Sequence, residues 1–222
     1  MVEALPNVRL VGDSETIGGR FGRLRITGDA KFAGDVTCDL FALTGTAQVS
    51  GGLAMKSMSF TGDVKVEGPL HGGNLKGTGE LLLKSGFRGE ELRLLGSLTA
   101  SEAVEAERIS LRGALQSPGL VNADELTIRM HGPSRAKEIA GGSLTIRRSR
   151  GMALKDLIRS SHRSELMAEL IEGDDLYIEY VRADVVRGNK ISLGPGCVIG
   201  RVEYRHTIQK HAKAKTGTEV RV

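Results

Sequence analysis

One residue type at one interval limits what this chain can fold into. Gly28, Gly45, Gly62, Gly79, Gly96 and Gly113 stand seventeen residues apart. Four residues before each glycine is an apolar side chain: Leu24, Phe41, Met58, Leu75, Leu92 and Ile109. Leu126 continues the series into a copy where Met130 replaces the glycine, and Val8 with Gly12 marks a less regular copy at the start. Two residues after each opening position come Ile26, Leu43, Phe60, Gly77, Leu94, Leu111 and Ile128.

Inside each copy apolar and polar residues alternate, as in Ala30 and Phe32 or Val36 and Cys38, which is the period of a strand. The segments are too closely joined for separate hairpins. Short strands therefore wind into a coil, and each coil stacks on the next at about 4.8 Å. A column of glycines then marks a corner with φ > 0, which only glycine adopts cheaply. Gly34, Gly51 and Gly68 are expected to do the same at a second corner. The interior ladders are Ala30, Ala47, Val64, Leu81, Leu98, Leu115 and Val36, Leu53, Leu70, Phe87, Val104, Val121. Coils of this size enclose a filled core and leave no ligand tunnel.

Composition agrees. The 222 residues are only 4% aromatic with no Trp, but include 30 Gly, so the core is built from small and aliphatic side chains. A net charge of +4 does not require a nucleic acid or an anionic surface. Two cysteines, Cys38 and Cys197, do not make a disulfide scaffold. "MVEALPNVRLVGD" lacks the basic start and apolar run of a signal peptide. No apolar run approaches the roughly 18 residues of a membrane span. A cytoplasmic location is expected.

The pattern breaks after Leu144 and Ile146. From Arg147 to Asp175, Leu154, Leu157 and Ile158 share one helical face and Leu166, Met167, Leu170 and Ile171 another, with Ser160, Ser161 and Ser164 between them. The expected organisation is a solenoid over 1–148, a short α-helical insertion over 149–173, terminal coils over 174–204 and a loose basic tail over 205–222. Arg147, Arg148, Arg150, Lys155, Arg159 and Arg163 flank the first helix. Packing against the solenoid is the preferred reading of that helix, ahead of an anionic membrane surface. Lys210, Lys213 and Lys215 read as a solubilising end.

Nothing in the sequence converges on chemistry. His71, His131, His162, His206 and His211 form no ligand spacing. "GGNLKGTGE" lacks the end of a phosphate loop, and its Gly77 and Gly79 belong to the repeat. Glu90/Glu91 and Asp174/Asp175 read as turn acids, and Cys197 as a small core residue. No catalytic, cofactor-binding or metal-binding residue is assigned, and no enzyme is expected.

The copies from Phe21 to about Ala136, followed by "GDDLYIEYVRADVVRGNKISLGPGCVIGRVEY", resemble the bactofilins, polymer-forming bacterial cytoskeletal proteins, and most closely a longer subgroup of spore-forming bacteria. The resemblance implies a right-handed parallel β-helix of triangular section that assembles end to end without nucleotide and acts as a scaffold. The helical insertion is absent from the compact family pattern. A solenoid's last coil presents unpaired backbone groups over an apolar core, which must be capped or matched. Leu5, Val8 and Leu10 in the first coil, and Val198, Ile199, Val202 and Tyr204 in the last clear one, are the expected self-assembly interface. The expected partner is the protein itself. A membrane surface or partner protein at residues 147–171 is the adaptor alternative, and nucleic acid is not expected.

A hexapeptide-repeat acyltransferase is a further alternative, since Leu24, Ala30, Val36 and Phe41 are spaced six, six and five. Such enzymes need eighteen-residue coils and a catalytic His beside a trimer groove. A carbohydrate-cleaving β-helix would need clustered acids on one face and a secretion signal.

Overall fold

Alternating apolar residues separated by glycine corners place every copy in one class of strand. The computed structural model describes residues 5–149 and 164–222, and every regular element among them is β. The chain divides into two units, Met1–Ala106 and Glu107–Val222.

The first unit contains β1 (Val8–Val11), β2 (Ser14–Thr16), β3 (Gly19–Phe32), β4 (Val36–Val49), β5 (Leu53–Val66), β6 (Leu70–Leu83) and β7 (Phe87–Ala100). β3 to β7 pair in chain order, all parallel, while β1 and β2 both pair with β3. Each element bends through a corner and makes most of one coil. The register advances by one copy per coil, so Leu24 lies beside Phe41, Phe41 beside Met58 and Leu75 beside Leu92. These columns are fully buried. Each such side chain withdrawn from water contributes about 1.5–3 kcal/mol, and parallel ladders on both edges satisfy the backbone.

The second unit contains β8 (Val104–Met130) from Glu107 onward, then β9 (Ser134–Arg148), β10 (Leu166–Ile178), β11 (Val181–Leu193), β12 (Val198–Lys210) and β13 (Lys215–Arg221). They too pair in parallel and in order. Its own buried columns run through Leu126, Leu144, Leu176 and Ile191, and through Val121, Ile139, Ile171, Val186 and Val202. Both units are parallel β-solenoids.

At the glycine corner, Gly28, Gly45, Gly62, Gly79, Gly96 and Gly113 have φ of 114, 127, 123, 127, 145 and 156°. A Cβ at Gly28 would also lie 2.6 Å from the carbonyl oxygen of Gly12 one coil away. Conformation and crowding therefore act together. The second corner differs from expectation, because Gly34, Gly51 and Gly68 are not among the positive-φ glycines. Their reason for being small is close approach: a Cβ at Gly34 would meet the Ile17 carbonyl oxygen at 2.7 Å, and one at Gly68 the Gly52 nitrogen at 2.7 Å.

Two expectations from the sequence are corrected. The helical insertion over 149–173 is not seen: Leu166, Met167, Leu170 and Ile171 lie in β10, where Leu166 and Ile171 are buried core and Met167 is exposed. Residues 150–163, including the first expected helix, lie outside the described residues. Arg147 and Arg148 end β9 and are not helical; their guanidinium carbons stand 4.9 Å from the Tyr177 ring centre and 3.6 Å from that of Tyr180. The expected loose tail over 205–222 is also ordered. Its first residues complete β12, and β13 pairs with β12 from Val198↔Lys215 to Tyr204↔Arg221.

Candidate functional site

Stacking fixes where functional groups can stand. Inward positions are filled by neighbouring coils, so chemistry is confined to the outer faces and to the first and last coils.

Among the described residues one outer groove gathers Asp39, Lys56, His71 and Glu90, without the arrangement of a metal site. Among the described residues no group of three or more His, Cys, Asp or Glu is placed to hold a metal ion. His71, His131, His206 and His211 are all exposed, and His162 lies outside the described residues. Cys38 is buried, and desolvation, aided by the charge of Asp39, pushes its thiol up to about 12. Cys197 is buried as well; its Sγ–H donates to the Ile178 carbonyl at 3.2 Å, and burial raises its pKa. Neither is a poised thiolate. The surface grooves are open: one runs along Arg25, Thr27, Thr44, Thr61, Lys76 and Thr78 and contains no acid or imidazole. Glu90 and Glu91 lie at the end of β7's first arm, and Asp174 and Asp175 in β10; Asp174 accepts a bond from Asn189 at 2.6 Å, and Asp175 pairs with Lys190 at 3.7 Å.

Ion pairs run across coils. Arg187 reaches Glu172 at 3.0 Å and Glu203 at 2.7 Å, and Glu203 also accepts from Arg201 at 2.7 Å. The bonds from Arg187 and Arg201 hold the Glu203 carboxyl below its ordinary value, and Glu203 and Glu172 raise Arg187. These exposed pairs clip β10, β11 and β12 at modest energy.

The inner surface of the first coil is apolar along β1 and polar along β2. Val8 and Leu10 are half-buried and stand beside the buried Leu24 and Ile26. Ser14 and Thr16 continue the columns of Ala30 and Phe32 with polar groups. Leu5 is exposed, and Ile17 is 85% exposed. Among the described residues β1 pairs only with β3.

Of the residues expected at the C-terminal interface, Ile199 and Val202 are fully buried beneath β13, Tyr204 is half-buried, and Val198 is exposed at the start of β12. They do not form an end face; the last coil is the ordered segment after them. In it the core columns change character. Val186 and Val202 are followed by Glu219, Leu193 by Lys210, and Ala183 and Ile199 by Thr216. Lys210 Nζ pairs with Glu219 Oε1 and lies 3.2 Å from Thr216 Oγ1, which donates to the same carboxylate oxygen at 2.5 Å. The bond from Lys210, then that from Thr216, lowers the Glu219 pKa. Apolar patterning could not reveal this coil. The usable signal was Gly217, seventeen residues after Gly200 and beside it between Ile199↔Thr216 and Arg201↔Thr218.

Over 92 residues the chain is 35% identical to the Bacillus subtilis uncharacterized protein YhbF, covering 40% of this chain and 37% of that one. Over 91 residues it is 38% identical to the uncharacterized protein YhbE of the same organism, covering 40% and 38%. The chain thus spans under two fifths of each curated relative it matches. No family model matches, and no solved structure matches. No helix among the described residues is long and apolar enough to cross a membrane.

Proposed function

We propose that this chain is a non-enzymatic, bactofilin-like cytoplasmic scaffold, a right-handed solenoid that self-assembles by stacking terminal coils without nucleotide. The observation supporting this reading is the first coil. Val8 and Leu10 extend two core columns to a strand that, among the described residues, has a partner on one edge only. Such an edge over an apolar core is matched most simply by a second copy. The two Bacillus relatives add a sequence kinship and no activity.

Sedimentation velocity of the full chain, over a range of concentrations, with and without ATP and GTP, tests the reading. Species larger than the monomer in all three conditions, lost on Val8→Asp with Leu10→Asp, are expected. A strict monomer at high concentration, or assembly only with nucleotide, overturns it.

A further inference from the structure

Three core columns of the second unit end in polar residues that bond to one another. Glu219, Lys210 and Thr216 take the places next to Val202, Leu193 and Ile199, all buried. Lys210 and Glu219 are exposed and Thr216 half-buried, yet all three stand in register with buried core positions, and Lys210 and Thr216 both bond to Glu219 Oε1. We propose that the last coil is a built-in stop: the Lys210–Glu219–Thr216 cluster closes the C-terminal end of the solenoid against stacking of a second copy.

Two physical costs enforce the closure. A copy stacked on β13 would strip water from a carboxylate and an ammonium and return no new partner for either. Inward-pointing charge is also an established way to blunt a strand edge. The second cost is net charge. Residues 205–222 hold five Lys or Arg against the single acid Glu219, a surplus equal to the whole chain's +4. A symmetric contact through this coil would set like charge against like. Val8 and Leu10 of the first coil carry no such charge. The inference rests on the scaffold reading and narrows it, since it leaves the first coil as the self-association surface.

The test is disulfide trapping in the full chain, with each reporter cysteine in an exposed turn or loop. Ala212→Cys lies in the turn between β12 and β13, and Ile17→Cys lies in the first coil. In the otherwise native chain, Ala212→Cys is expected to give almost no cross-linked pair. Adding Lys210→Leu and Glu219→Val, which continue the Leu193 and Val202 columns, is expected to raise cross-linking at least about tenfold. Lys210→Met with Glu219→Gln is the milder pair should the first fail to fold, and the same direction is expected. Efficient cross-linking of Ala212→Cys in the native background overturns the stop, as does a folded uncapped variant that cross-links no more than its parent. Ile17→Cys reports separately on the scaffold reading: no trapping there, in a chain that is monomeric throughout, defeats that reading and not the stop.

Discussion

The ring of Phe60 fills the space above Gly77 of the next coil, where a Cβ on Gly77 would overlap the ring's edge. The column reads Ile26, Leu43, Phe60, Gly77, Leu94, so the largest side chain in it is followed by the smallest. Gly77→Leu is therefore expected to destabilise by about 1–3 kcal/mol through overpacking. Combining it with Phe60→Leu, which restores the neighbouring pattern, is expected to recover much of the loss. Urea unfolding of both singles and the double gives the coupling energy, and simple additivity would contradict the pairing.

The glycine corner gives a second expectation. Gly62 has φ of 123°, and a Cβ there would overlap the carbonyl oxygen of Gly45. Gly62→Ala is expected to cost at least about 1–3 kcal/mol, as strain of this kind does. At Gly34, where φ is not positive, the cost comes from the Ile17 carbonyl alone and depends on how far that loop can yield. Chemical denaturation of the two variants compares them, and a neutral Gly62→Ala would contradict the corner geometry.

Much of this is legible in the sequence, for a physical reason. A corner that admits only glycine, and columns that admit only apolar groups, repeat once per coil. Where the coil departs from that rule, sequence pattern and structure differ. Leu166, Met167, Leu170 and Ile171 fit a helical face because a coil that turns a corner interrupts strict alternation, and its buried residues, Leu166 and Ile171, then fall five apart. The last coil was invisible because Lys210, Thr216 and Glu219 put polar residues where the pattern demands apolar ones. The second corner was misassigned because sequence cannot separate a glycine needed for φ from one needed for space.

Acid should loosen the last coil. Lys210 and Thr216 hold the Glu219 carboxyl below its ordinary 4.5 in the folded chain. A lowered folded value means the contribution is fully present above pH 4.5 and is lost as pH falls through the folded value. The stability difference between the native chain and Glu219→Gln is expected to be flat near neutrality and to shrink in acid. Thermal melts from pH 7 to about pH 3 measure it; a gap that widens in acid would contradict the pairing.

Tyr180 is the one non-glycine described with positive φ, at 52°, and its ring lies under Arg148 and beside Gly196. Stacking offsets a strained backbone. Tyr180→Ala keeps the strain and loses the stack, so a loss of about 1–3 kcal/mol is expected. Tyr180→Gly relieves the strain and should be milder. Equal losses in the two variants, read by urea midpoint, would contradict this division.

The thiols report on the filled interior. Cys38, pushed up to about 12 by burial, and Cys197, bonded to the Ile178 carbonyl, are expected to resist a thiol reagent at pH 8 in the native chain and to react fully in denaturant. Rapid labelling of the native chain would mean an open or mobile core.

Negative-stain electron microscopy of the purified full chain, at high concentration and without nucleotide, tests the central claim most directly. Particles holding more than one chain, reduced to single chains by Val8→Asp with Leu10→Asp, are the expected result. Single chains at every concentration would contradict a self-assembling scaffold.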